Sequence, residues 1–190
     1  MQNNTPIKRI AVLILWLALL SGCWQYYSDE AHAAFLERTD PVSITVYPVR
    51  VVAGPKADND HNQATELVAY LNSEQLGAAV AGTDETHIPV QWHKNQAKMT
   101  QETALAFGKQ VAADSISTDY ALLVELLCST DERKIGGIQI YLSDAKGRIA
   151  TGRLSNSHWE EWKEVQPHDR ASGIEVAKQL IAMSWAEGRE

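Results

Sequence analysis

The residues best suited by type to do chemistry crowd into one short stretch, His158-Trp159-Glu160-Glu161-Trp162, with His168-Asp169 close behind. Imidazoles and carboxylates at this density could ligate a metal ion. They could also exchange a proton as general acid and base, the chemistry of a hydrolase. The other histidines, His32, His61, His87 and His93, are scattered, and none completes the His-Glu-x-x-His spacing of a zinc peptidase. A second acidic patch, Asp58-Asn59-Asp60-His61, would attract a cation. It lacks the later Glu and the Gly of a calcium loop, and a helix-entry turn accounts for its residues. No nucleophile elbow, phosphate loop or dinucleotide fingerprint is present. The chain is therefore expected to be noncatalytic, with no metal and no cofactor. A hydrolase built on His158, Glu160, Glu161 and His168 is the alternative.

The same stretch supports a different use of its aromatic residues. Trp159 and Trp162 fall in a polar segment between the last expected strand and the last expected helix, where a loop belongs. Large aromatics are enriched at interface hot spots, because one ring buries much area for little entropy. Trp159 and Trp162 are thus the candidate partner-binding residues. Two readings stay open for them: docking to a partner, or folding back onto their own domain.

Cys23 has a chemistry of its own. It follows Lys8-Arg9 and the unbroken apolar run Ile10–Leu20, and it closes the motif Leu20-Ser21-Gly22-Cys23. A helix crossing the hydrocarbon core needs about 20 apolar residues. This run has roughly half that, matching the apolar region of a cleavable export signal. The motif resembles the lipobox of bacterial lipoproteins. That resemblance implies that residues 1–22 are removed and that the Cys23 thiol takes a diacylglyceryl group. Several acyl chains on Cys23 hold a protein stably in a bilayer, whereas one chain holds it marginally. Membrane lipid is therefore an expected partner, through Cys23. Trp24 stands where enterobacterial lipoproteins retained in the inner membrane carry Asp, so the resemblance implies the periplasmic face of the outer membrane.

Composition fits an aqueous domain on such an anchor. The chain has 190 residues and a formal net charge of −7, which becomes −9 once the signal with Lys8 and Arg9 is lost. An acidic surface argues against nucleic acid as a partner, because that binding needs a basic footprint. With Cys23 acylated, Cys128 has no partner for an intramolecular disulfide. Its place in the apolar run Tyr120–Cys128 suits a buried, inert thiol.

The elements that must position these residues follow from periodicity. Residues 23–41 read as a lipidated tether, with Ala31–Arg38 able to form a short helix, and the ordered domain spans 42–190. Ser43–Val52 is β-branched and reads as a strand. Pro48 within it calls for an edge or a bulge. Helical spacing follows at Ala64, Leu67, Val68 and Leu71, fading at Gly77 and Gly82. His87–Trp92 reads as a short strand. Thr100 caps a second helix with Ala104, Phe107 and Val111 on one face. Asp119–Leu127 is apolar throughout, as a central strand covered on both faces should be. Ile135–Ser143 alternates Ile138, Ile140 and Leu142 inward with Gln139 and Tyr141 outward. Asp144–Gly147 turns the chain into a returning strand at Arg148–Asn156. Ser172-x-x-Glu175 has capping-box spacing and opens a last helix with Ile174, Ala177, Ile181 and Trp185 as its buried stripe. The expected class is α/β: one domain, a mixed sheet of about five strands and three helices, in the order β-α-β-α-β-β-β-α.

The segment from Phe107-Gly108 into Asp119-Tyr120-Ala121-Leu122-Leu123-Val124, with Leu142 to Gly147 before the final helix, resembles the TolB amino-terminal-like domains. That group includes curli-secretion lipoproteins and lipoprotein activators of penicillin-binding proteins. The resemblance implies a noncatalytic adaptor that docks to a protein partner in the cell envelope. The sequence departs from the group around Trp159 and lacks pore-forming hairpins.

Overall fold

The computed structural model describes residues 27–38, 41–83, 85–91, 95–130 and 134–187. Cys23, the apolar run before it, Trp24, Trp92 and His93 lie outside the described residues. In chain order the elements are α1 (Asp29–Leu36), β1 (Val42–Val46), β2 (Val49–Ala53), β3 (Lys56–Asp60), α2 (His61–Ser73), β4 (Gly77–Ala81), α3 (Gln96–Asp114), β5 (Tyr120–Cys128), β6 (Ile135–Asp144), β7 (Ile149–Ser155), α4 (Glu160–Val165) and α5 (Arg170–Ala186). The expected class holds: one α/β domain on an open mixed sheet. Among the described residues its strands number seven rather than about five, and its helices five rather than three.

The extra strands have local causes. The Ser43–Val52 run is divided at Tyr47-Pro48, yet both halves lie parallel to the same edge of β5, because β6 occupies the other edge along its whole length. Val46 faces Leu122 and Arg50 faces Glu125, so one surplus residue is absorbed between them. Pro48 has no N–H to give, and Tyr47 N–H bonds the Leu122 carbonyl at 2.9 Å. The result is the bulge that Pro48 called for, within one long kinked rank. Outside that rank, β4 runs parallel to β1 and β3 runs antiparallel to β2. Seven strands therefore make five ranks.

β3 is the acidic patch expected to be only a turn; Gly54 at φ 59° lets it fold back onto β2. β4 replaces the fading helix end. A Cβ on Gly77 would meet the Val42 carbonyl oxygen at 2.7 Å, so glycine permits close approach of this outer strand. His87–Trp92 is not a strand: residues 85–91 lack regular structure, with Ile88 buried.

Alternation along β5 divides the interior in two. Leu122, Val124 and Leu126 point into a large core with Phe35 of α1, Leu67 and Leu71 of α2, and Ile174, Ala177, Ile181 and Trp185 of α5. Ala121 and Leu123 point the other way, into a smaller core with Ala104, Phe107 and Val111 of α3. Gln139 and Tyr141, expected outward, are buried because α3 covers that second face. Their polar atoms find each other there: Tyr141 hydroxyl donates to Gln139, whose amide donates to Thr100 Oγ1 at 3.1 Å.

Helix boundaries differ from expectation in three places. α1 forms within the stretch read as tether, and Phe35 is fully buried, edge-on to Trp185 at 5.1 Å. The folded unit thus takes in this helix. Asn95, not Thr100, caps α3, its side chain accepting from Lys98 N–H. Asp169, not Ser172, caps α5, with Ser172 completing a reciprocal capping box from inside the helix.

Candidate docking surface

The Trp159 segment is built from a chain of local bonds. β7 ends at Ser155, and the Asn156 carboxamide oxygen then accepts from His158 N–H at 3.1 Å. Trp159 N–H donates to the Asn156 carbonyl at 3.0 Å, which turns the chain by one tight step. Trp159 is the N-cap of α4, with φ −98° and ψ 152°, and its side chain makes no cap bond. The helix ends at Gln166, left-handed at φ 51°, whose N–H bonds the Trp162 carbonyl at 2.7 Å. The Asp169 capping box follows at once. Hydrogen bonds to the Asp169 carboxylate from the Ser172 hydroxyl and N–H hold its pKa below the usual aspartate range.

The two indoles separate on this frame. Trp159 is 52% exposed, whereas Trp162 is half-buried against the large core. Three positions apart across a helix N-terminus, they face different media. The exposed ring has charged and polar company: His158 and Glu160 are also exposed, and Glu160 pairs with Lys163 at 2.6 Å.

The four residues of the hydrolase alternative do not form a shared constellation. His158 and His168 are exposed, Glu160 is exposed toward Lys163, and Glu161 is buried. His168 Nε2 lies 3.7 Å from Asp169. Among the described residues, no hydrogen bond or ion pair joins any two of His158, Glu160, Glu161 and His168, and no group of three or more His, Cys, Asp or Glu is arranged to hold a metal. The acidic patch serves structure: Asp60 caps α2 and meets Arg170 at 3.4 Å, while His61 pairs with Glu85 at 3.0 Å. Cys128 is half-buried, its thiol 3.8 Å from the Leu126 carbonyl.

Two features escaped the sequence. One is a groove of about 670 Å³ between residues 87–91 and α3, lined by His87, Ile88, Gln91, Leu105, Lys109 and Asp114. Leu105 is half-exposed in it and lies off the Ala104-Phe107-Val111 stripe, which is the signal that could have found it. None of the His158 group lines this groove. The other is a fully buried ion pair, Arg50–Glu125, whose guanidinium also donates to the Ile88 carbonyl. Burial pushes the Glu125 carboxyl up, and Arg50 acts against that shift. Nothing in either sequence run marked these two residues as facing neighbours.

Among the described residues no helix is long and apolar enough to cross a membrane. No protein-family model matches the chain, and no curated protein matches it. Among solved structures it is similar to the LpoB C-terminal domain from Salmonella enterica, at 14% identity and a TM-score of 0.35, over 70% of this chain and 96% of that one.

Proposed function

We propose that the chain is an exported lipoprotein, acylated at Cys23 after loss of residues 1–22, whose α/β domain is a noncatalytic adaptor for a protein partner in the cell envelope. The location proposed is the periplasmic face of the outer membrane, with acyl chains on Cys23 as the lipid contact. The observation that carries the docking half of this reading is the half-exposed Trp159 on a hydrogen-bonded turn. With its backbone held by that turn, the residue has only two side-chain torsions to fix when a partner covers the ring, which suits a hot-spot anchor. Trp162 packs against the large core and so anchors α4, whose N-cap is Trp159. The lipid half rests on the Leu20-Ser21-Gly22-Cys23 motif and the short apolar run before it.

The test is a photocrosslinking residue placed at position 159 of the full chain in living cells, with position 183 as control, since Met183 is also exposed. A discrete adduct with one envelope protein from position 159, lacking at 183, supports the reading. Equal adducts at both, or none at either, overturns it. Intact mass of the native protein tests the anchor: a lipidated Cys23 as first residue is expected, and a retained Met1 with a bare thiol refutes it.

A further inference from the structure

The segment 85–91 has the alternation of an extended chain, although it belongs to no sheet. Thr86 and Ile88 are buried, whereas Glu85, His87 and Pro89 are exposed. Its two backbone edges have different neighbours. The carbonyls of Thr86 and Ile88 face β2 and β3, accepting from the Asn59 carboxamide at 3.4 Å and from the Arg50 guanidinium. On the other edge, toward α3, the Gln110 carboxamide donates to the Glu85 carbonyl at 2.9 Å and accepts from the His87 N–H at 3.0 Å. One side-chain amide thus takes the carbonyl of one residue and the N–H two residues on. A peptide unit of a neighbouring parallel strand makes the same pair of bonds.

That pairing step recurs at Pro89 and Gln91. Alternate residues of an extended chain present their backbone groups to the same edge, so the Pro89 carbonyl and the Gln91 N–H follow Glu85 and His87 on the α3 side. Neither group has a hydrogen-bond partner among the described residues. Both residues line the 670 Å³ groove together with Leu105 and Ala106, which stand about one helical turn before Gln110. Two of the charges in the groove are already matched: Glu102 pairs with Lys98 at 3.7 Å, and Asp114 accepts from the Tyr47 hydroxyl. Lys109 is different, since its ammonium makes no ion pair or hydrogen bond among the described residues.

We propose that this groove is a docking site separate from Trp159, and that it takes an extended peptide segment of a partner protein. A peptide amide pairs with Pro89 and Gln91 as the Gln110 carboxamide pairs with Glu85 and His87. An apolar side chain of the peptide covers Leu105 and Ala106, and a neighbouring carboxylate meets Lys109. Main-chain pairing supplies affinity in such a site, and the side chains supply selectivity. The two sites belong to different layers of the domain. Ile88 and Ala106 of the groove pack in the smaller core, and Trp162 of α4 packs against the large one.

The experiment selects phage-displayed random nonapeptides on the full chain as isolated from cells. Enrichment of an apolar residue beside Asp or Glu is expected, and the best sequence is then measured as a free peptide by fluorescence anisotropy. Leu105→Asp and Lys109→Glu, both at exposed positions of α3, should each weaken it about tenfold or more. N-methylation along the peptide should cost as much at the one amide that meets the Pro89 carbonyl. Trp159→Ala should leave binding unchanged. Failure to enrich any peptide, or binding that ignores both α3 substitutions, overturns the site. Binding that survives N-methylation at every position overturns the backbone pairing. Loss of binding in Trp159→Ala moves the peptide to the surface proposed above and overturns this one. Self-association of the free chain that Leu105→Asp abolishes would make a second copy the occupant, and equal competition by oleate would make it a lipid; either result overturns the peptide.

Discussion

The Asn72 side chain closes the outer edge of β4 at Ala79, its oxygen accepting from Ala79 N–H at 2.9 Å and its amide donating to the Ala79 carbonyl at 3.0 Å. One carboxamide thus satisfies both backbone groups that the middle residue of this edge strand presents outward. β4 reads Gly-Ala-Ala-Val-Ala, with no charge and no proline, and Val80 is 53% exposed. An uncharged open edge of that kind is a template for pairing with another chain. Asn72 occupies it from within. Replacing Asn72 with Ala should cost roughly 1–3 kcal/mol. It should also introduce concentration-dependent self-association, read by light scattering. A variant that stays monomeric at all concentrations would show that the edge needs no such plug.

The Arg50–Glu125 pair is buried on both sides and also holds the 85–91 segment through the Ile88 carbonyl. Removing one member leaves a buried charge alone, which costs about 3–5 kcal/mol. Arg50→Met should therefore be severely destabilised in denaturant melts. Adding Glu125→Leu should recover much of that loss. Equal stability of the single and double variants would mean that Glu125 simply stays protonated when alone.

Acid should unfold this protein partly through Asp119. Hydrogen bonds from the Ser43 hydroxyl and the Ser43 N–H hold its pKa below the usual aspartate range, and they tie the start of β1 to the start of β5. A carboxyl whose folded pKa is depressed contributes stability that is present above its unfolded value of about 4 and lost as pH falls through the folded one. Asp169, held down by Ser172, acts in the same direction. Melting temperature should fall as pH drops below about 4. Asp119→Asn should flatten that decline; an unchanged slope would place its origin elsewhere.

Gly108 lets α3 lie directly on the β6–β7 turn. A Cβ there would overlap the Gly147 carbonyl oxygen, which is backbone and has nowhere to go. Gly147 itself sits at φ 79°. Gly108→Ala should destabilise by about 1–3 kcal/mol through overpacking, despite the better helix propensity of alanine. Calorimetry giving a stabilised protein would show that α3 can shift outward.

The two tryptophans should respond differently to truncation. Trp159→Ala should change stability by no more than about 0.5 kcal/mol, as for other surface positions. Trp162→Ala, which empties part of the large core boundary, should cost about 2 kcal/mol. Iodide quenching of the remaining fluorescence should fall with loss of Trp159 and change little with loss of Trp162. The reverse pattern would exchange their roles.

Much of the architecture was legible because periodicity is a local property. The stripes Ala104-Phe107-Val111 and Ile174-Ala177-Ile181-Trp185 are buried as their spacing required, as are Ala64, Leu67 and Leu71 of the first helix, whose Val68 is only half-buried. The positive φ at Gly147 was likewise readable from a four-residue turn. The strands Lys56–Asp60 and Gly77–Ala81 were not, because neither carries a β-branched alternating run. Each is a strand only because a neighbouring rank offers its hydrogen bonds. The same holds for Gln139 and Tyr141, polar by type and buried because a distant helix covers them.

The chain by itself determined which residues repeat with period 2 or 3.6, where proline interrupts a ladder, and which cysteine follows a short apolar run. It also set two tryptophans in one polar segment between the last strand and the last helix, where a loop was expected and α4 is found. Tertiary structure alone decided that α3 covers the second face of the sheet, that Arg50 meets Glu125, and that Trp159 faces water while Trp162 packs inward. The reason is physical. Covalent spacing sets which side chains share a face, but the free energy of burying that face depends on partners brought close by chain closure far along the sequence.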